Sequence, residues 1–386
     1  MLGDAAFRMT VSAPAHIEHS LAQSDADLAA DIVKRLTPLV CDEWPYAGAA
    51  LYANGYADMF SARLDSDSGN YSHLVQLVGD IDQAYQCAEL DEALRLCNLL
   101  LSSSDAASVQ LFGLTKRMSV YVAQANAEAA YADYVRVTRM CEEGIRCTDD
   151  SFMCGASCLC ALNVENLLNA RIFDRDFFGC DMSFLPQQLR SLLGYLLGCR
   201  ALRQGKRSMA EGIAYSALVL TGSSGRREAV SCNLIMASTR LFSRDLSGAE
   251  AAFKRAWALS GHGQIAMPFV EFDHYLLGLF RRCDDICEEP SYRQIKRLLS
   301  RYRRGWYDLR RQCGLPVFGA CLTSVELYAL GLASLGWRNK EIAAHLRISE
   351  NTLKHRLSSA YQKLGLNSRK DTRNLWHGFI GFVEQG

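Results

Sequence analysis

A chain of 386 residues with 49% hydrophobic and 22% charged side chains has ample core and is too long for one typical domain. This composition excludes an intrinsically disordered protein. No apolar run approaches the 18 residues of a membrane span; the one at residues 192–199 is too short. The net charge of zero is unevenly placed: residues 1–290 hold 25 Lys/Arg against 36 Asp/Glu, and residues 291–386 hold 17 against 6. A basic end on an acidic body is the footprint of a protein that touches nucleic acid with one end.

Residues 1–20, with Pro14 and no periodicity, read as a flexible arm. No basic region followed by a long apolar segment opens the chain, so a secretory leader is not expected and the cytoplasm is the expected compartment. From Asp25 the pattern turns helical, with Leu28, Ile32, Val33 and Leu36 on one face before Pro38. Residues 44–64 read as a further helix, and residues 66–70 as a loop.

A repeat then emerges across the 21–290 segment. Residues 89–97, 205–214 and 245–256 each read as the second helix of a helix pair. Ala93, Ala130, Ala210 and Ala249 mark the close helix–helix contacts at spacings of 37, 80 and 39. The 80 corresponds to two units, with a degenerate one near Arg171. Helix pairs at such a period predict an α-solenoid with a concave binding surface. Residues 244–259 and 204–218 resemble tetratricopeptide repeats, so the first domain is expected to bind a small molecule or a protein partner in its groove.

Glu288, Glu289 and Pro290 end the repeats. Residues 291–313 are strongly basic, with Arg293, Lys296, Arg297, Arg301, Arg303, Arg304, Arg310 and Arg311 among Tyr292, Tyr302, Trp306 and Tyr307. Ile295, Leu298, Leu299 and Tyr302 give this segment a helical apolar stripe, and residues 314–319 read as a linker. The 291–320 segment is therefore expected to be a basic helix plus connector.

No motif supports an enzyme. A phosphate-binding loop is missing, since Gly205-Lys206-Arg207-Ser208 lacks the upstream glycine. The eight His residues are scattered. Cys154, Cys158 and Cys160, and also Cys283 with Cys287, lack the paired spacing of a metal site, so the fifteen cysteines are expected to be packing residues; no cofactor and no metal are expected.

Residues 321–386 carry three short helical patterns. Thr323 and Glu326 form a capping box, Ala329, Leu330 and Ala333 share a face, and Gly336 stops the helix. Asn339 is placed to cap a second helix with Ile342, Ala343 and Leu346 inward. Ser349 is placed to cap a third that carries Thr352, Leu353, Leu357, Ala360 and Leu364 and closes at Gly365. Two unequal helices across so tight a turn predict a helix-turn-helix, whose second helix enters the major groove.

The stretch resembles the DNA-binding domain of LuxR-type transcription regulators. The matching residues are Leu322, Thr323, Glu326, Gly336, Asn339, Lys340, Glu341, Ile342, Ala343, Leu346, Ile348, Ser349, Thr352, Leu353, Lys354, Lys363, Leu364, Gly365, Leu366 and Arg369. Two positions depart from the pattern: Arg338 stands where the family prefers a small hydroxyl residue, and Arg356 where it usually has His.

Composition and repeat spacing predict an all-α chain with a helical-repeat solenoid, and the resemblance implies that a four-helix DNA-binding domain follows it, the whole acting as a bacterial one-component regulator. Lys354, His355 and Ser358 would face base edges, and Lys340, Ser349, Thr352 and Arg356 would approach phosphates. Leu375, Trp376, Phe379 and Ile380 would form a homodimer contact on double-stranded DNA, with RNA polymerase as a further partner. Leu327, Tyr328, Leu335 and Trp337 occupy positions where the family often has polar residues, which predicts either a second surface docked there and masking the domain or side chains that complete the small domain's own core. The competing expectation is a helical-repeat interaction scaffold with a degenerate helix-turn-helix.

Overall fold

The computed structural model describes residues 70–146, 151–178, 187–221, 226–369 and 371–372. The expected arm, the helices placed at residues 25–36 and 44–64, and the dimer residues Leu375, Trp376, Phe379 and Ile380 lie outside them. Among the described residues every regular element is helical. The first nine are α1 (Asn70–Gln86), α2 (Leu90–Ser103), α3 (Ala107–Ala123), α4 (Ala127–Arg146), α5 (Ser151–Leu168), α6 (Gln187–Arg203), α7 (Arg207–Thr221), α8 (Arg226–Phe242) and α9 (Leu246–Leu259). Short pieces follow: α10 (Met267–Glu271), α11 (Asp273–Leu276), a 3₁₀ turn (Leu279–Arg282) and α12 (Asp284–Cys287). The chain then forms the long α13 (Pro290–Gln312) and three helices of the C-terminal unit: α14 (Ser324–Ser334), α15 (Asn339–Leu346) and α16 (Glu350–Leu364).

One local device sets the repeat. The first helix of each pair ends on a residue with positive φ: Ala88, Ala125, Asn169, Gly205 and Arg244. At each, the amide of the next residue reaches back to a carbonyl of the helix's last turn. These bonds are Glu89 to Ala84, Asn126 to Tyr121, Ala170 to Glu165, Lys206 to Ala201 and Asp245 to Arg240, at 2.8–3.1 Å. This is the Schellman geometry, which satisfies orphan carbonyls and reverses the chain. Ala93, Ala130, Ala210 and Ala249 are each the fourth residue of the helix that follows, and all are fully buried. A larger side chain there would hold the paired helices apart.

The first helices of the pairs face inward. A cavity of about 40 Å³, room for only a few waters, is lined from α1, α3, α5, α6 and α8 by Tyr85, Lys116, Asn166, Tyr195 and Arg227, among others. None of its lining comes from α2, α4, α7 or α9. The degenerate unit is α5. Its turn is present at Asn169, but residues 169–178 form no helix and instead bury Phe173, Phe177 and Phe178.

The basic 291–313 segment is not an exposed connector. α13 starts with Pro290 at its first position and lies against α3, α4 and α10, with Ile295, Tyr302, Trp306 and Leu309 buried. Trp306 donates to the Leu167 carbonyl at 2.6 Å, and Arg310 donates to the carbonyls of Leu168 and Asn169. These are the carbonyl groups left open at the end of α5. Burial holds the Arg310 guanidinium below its usual range, at about 10. Gly305 admits the close approach, since a Cβ there would lie 2.2 Å from the Val122 carbonyl oxygen. Part of the repeat surface expected to be open for a partner is thus covered by the chain itself.

Of the clustered cysteines, three sit where packing needs small apolar groups, while Cys154 and Cys287 are half-buried. Cys158, Cys160 and Cys283 are buried, and burial pushes the Cys160 thiol up to about 11 and that of Cys283 up to about 12.

Candidate nucleic-acid interface

The C-terminal unit is built from local signals. The Thr323 hydroxyl accepts from the Glu326 amide, and the Glu326 carboxylate accepts from the Thr323 amide at 2.8 Å, completing the capping box. Glu326 also accepts from Ser359 and Lys363 of α16, both at 2.7 Å. Burial alone would raise its pKa, but these donors, Lys363 first, outweigh that and lower it to about 2. One buried carboxylate therefore ties the start of α14 to the second half of α16. Gly336 and Gly365 both take positive φ and end their helices, as their positions in the sequence predict.

One local expectation needs correction. The cap of α15 is Arg338, whose amide donates to Glu341 at 2.7 Å, and Asn339 is the first helical residue. The Asn339 side chain is engaged elsewhere, accepting from Arg369, which also donates to the carbonyls of Ala333 and Trp337. Thr352 is exposed; its amide donates to the capping hydroxyl of Ser349 at 3.0 Å, and the two hydroxyls lie 2.8 Å apart. The back of α16 is formed by Leu353, Leu357 and Ala360, all buried.

That burial orients the front. Lys354, His355 and Ser358 are all exposed and share one side of α16. Lys340 at the start of α15, Ser349 at the turn, and Thr352 and Arg356 on α16 are exposed as well. The turn is short because Arg347 takes positive φ, letting the Ile348 amide reach the Ala343 carbonyl at 3.0 Å. A short helix, a tight turn and a longer helix with a polar outer face are thus on one small frame.

Residues 320–373 match the family model of the bacterial regulatory proteins, luxR family. They are a LuxR-family helix-turn-helix domain. The chain therefore carries the DNA-binding unit of a family of transcription regulators. No curated protein and no solved structure matches the chain.

The LuxR-type domain is docked on the repeat body through α14, α15 and the turn after it. Asp273, buried on α11, pairs with Arg303 of α13 and accepts from the Tyr328 hydroxyl. Arg303 also donates to Ser324 at 2.5 Å and lies over the Tyr328 ring. Gly278 takes positive φ, and a Cβ there would come within 2.9 Å of Leu346 and Tyr328. Arg281 and Arg282 meet the Leu346 carbonyl and Arg347, and Arg347 pairs with Asp284. Arg244, the positive-φ residue after α8, donates to the Gly336 carbonyl at 2.7 Å.

The apolar surface of α14 is thus covered: Tyr328 faces the body, and Leu327 and Trp337 are buried. Among the described residues nothing covers the DNA-reading face, where a mask was expected. The contacts fall on α14, α15 and the turn, and α16 keeps its front exposed. Sequence reasoning found the apolar signal but missed the contacts of Asp273, Arg303, His345 and Arg347, whose partners lie 21 to 68 residues away.

His345 gives this contact a pH dependence. Its buried ring packs against Trp337, and Nε2 lies 3.1 Å from the Leu277 carbonyl, which requires the proton on that nitrogen. Burial lowers its pKa from 6.5 to about 4, and nearby Arg282 and Arg281 push the same way, against the Leu277 carbonyl. A pKa lowered by docking means full stability above about 6.5 and progressive loss as pH falls from there toward 4. Proton resonance titration, with the peak identified by its loss in His345→Gln, should show a midpoint near 4. A midpoint near that of free imidazole would mean that the contact does not form.

Proposed function

We propose that the chain is a sequence-specific DNA-binding transcription regulator whose repeat body clamps the LuxR-type domain with its recognition helix turned outward. The observation that carries this is α16 itself. Its apolar back is buried, its two ends are fixed by Ser349 and Gly365, and Lys354, His355 and Ser358 remain free on its front. In this reading residues 21–290 and 291–320 act together as one holder, and residues 321–386 read DNA. A second copy joins on paired half-sites through Leu375, Trp376, Phe379 and Ile380, and contact with RNA polymerase belongs to the same proposal. The scaffold alternative is disfavoured by α13, which packs on α3 and α4 and closes the inner cavity with Tyr302, where a partner of the repeats would need access. A ligand or partner of the body would act by favouring one of two states, clamped or released, through its differential affinity.

The test separates base reading from phosphate holding. Lys354→Ala should cost about 1–3 kcal/mol at one base position and little on scrambled duplex. Lys340→Ala should weaken binding to both duplexes alike and lower the salt slope by about one unit. Cognate sequence can be obtained by selection from random duplexes with the full chain. Equal losses on cognate and scrambled DNA for Lys354→Ala would remove it as a base reader.

A further inference from the structure

We propose that the outer face of α13 is a second DNA-binding surface, gripping phosphates that flank the site read by α16. This rests on the DNA-binding reading above and extends it to a surface outside the LuxR-type domain. Arg293, Arg297, Arg301 and Arg304 are exposed, and among the described residues none has an acidic group within ion-pair distance. With Arg311, which pairs with Asp308 at 2.7 Å, they fall within an arc of about 80° on a helix of 3.6 residues per turn. The stripe runs for about 27 Å at 1.5 Å per residue.

The helix cannot roll to hide these side chains. Its opposite side is fixed by Trp306 and Arg310 on the end of α5 and by Gly305 against Val122. Nor is the stripe short of anions by composition, because residues 1–290 hold 36 Asp/Glu against 25 Lys/Arg. An acidic body that leaves a row of arginines unpaired leaves them open for an outside polyanion. Guanidinium groups suit phosphate oxygens through their planar donor fork. Duplex DNA offers one charge per about 1.7 Å along its axis, enough to meet the whole stripe.

The stripe is also coupled to the recognition helix by direct contacts. Arg303, next to Arg304, donates to Ser324 of α14, and Glu326 of α14 holds Ser359 and Lys363 of α16. DNA held by α16 and DNA touching α13 would therefore meet one connected body. That continuity favours DNA over an acidic protein as the occupant.

The experiment uses the full chain, a random-sequence duplex of about 40 bp and a short one of about 16 bp, with affinity followed over roughly 50–200 mM salt. Arg297→Gln, Arg301→Gln and Arg304→Gln are combined, with Lys340→Ala as the control in the LuxR-type domain. The triple variant should lower the salt slope by about 2 to 3 units on the long duplex and leave the short one unchanged. Lys340→Ala should lower the slope by about one unit on both. Arginine-to-lysine changes at the same three positions should restore the slope, and unchanged thermal melting should exclude misfolding. An unaltered slope for the triple variant, with Lys340→Ala still effective, overturns the stripe and leaves the DNA-binding reading standing. A triple variant that loses binding to poly-glutamate at an unaltered DNA slope makes the stripe a protein surface, which also overturns the proposal. A wild-type chain that binds neither duplex overturns both readings.

Discussion

Glu165→Ala is expected to cost about 3–5 kcal/mol, because it leaves buried cations without their anion. Glu165 is fully buried on α5, where it pairs with Arg200, lies 3.8 Å from Arg203, and accepts from the amides of Ile172 and Phe173 at 3.2 Å each. Arg200 in turn donates to the Arg175 carbonyl at 3.0 Å and lies 4.9 Å over the Phe177 ring. The carboxylate therefore gathers a helix end, two arginines of α6 and the irregular residues that stand in for a helix. Removing it exposes the desolvation cost of both guanidinium groups at once. Glu165→Gln keeps an acceptor but not the charge, so its loss should be smaller. Replacing Glu165 and Arg200 together with leucine should also do less harm than Glu165→Ala. Urea denaturation of the four proteins checks the order. A Glu165→Ala chain within about 1 kcal/mol of wild type would mean that the cluster adds little beyond packing.

Gly305→Ala is the second large effect, and its sign is unusual. In an exposed helix interior the change from Gly to Ala adds about 0.5–1 kcal/mol of stability. Here the new methyl would lie 2.2 Å from the Val122 carbonyl and 2.8 Å from Ala125 Cα, both backbone atoms that no rotamer can move. Overpacking of this kind costs about 1–3 kcal/mol, so the net effect should be destabilising. It should also shift α13 away from α3 and α4, weakening the bonds of Trp306 and Arg310 to α5. Faster amide exchange at Leu168, Asn169 and Ala170, together with a lower melting temperature, is the expected outcome. A stabilised variant would mean that α13 does not lie this close to the turn.

What was legible in the sequence was what a few neighbouring residues decide. The capping box of Thr323 and Glu326, the stops at Gly336 and Gly365, and the fourth-position alanines are all set within one or two turns of helix. The degenerate unit was placed near Arg171, two residues from its actual turn at Asn169. Local chemistry also misled where a distant side chain intervened. Asn339 is a good cap by type, but Arg369 engages its oxygen, and the cap passes to Arg338. The apolar stripe of α13 was visible, yet its partner was not. Trp306 and Leu167 lie 139 residues apart, and periodicity carries no information at that range. The same holds for Asp273 and Tyr328, which fix how the LuxR-type domain sits. On α16 the polar face was legible because the inward stripe of Leu353, Leu357 and Ala360 leaves it no other direction.

The placement of α13 has a consequence for how the chain is made. Helix pairs close on their immediate neighbours, so α1 to α9 can form quickly, in the order in which they leave the ribosome. The helix that packs on them comes last, after some 200 residues of the repeats have been built, and its hydrogen bonds to the end of α5 span 139 to 142 residues. Until Pro290 to Gln312 has emerged, the nascent body carries an open apolar trough, and the carbonyls at the end of α5 face water. A chain cut short before α13 would remain in that sticky state. The DNA-binding unit, which lies beyond α13, can be clamped only after the body beneath it has been sealed.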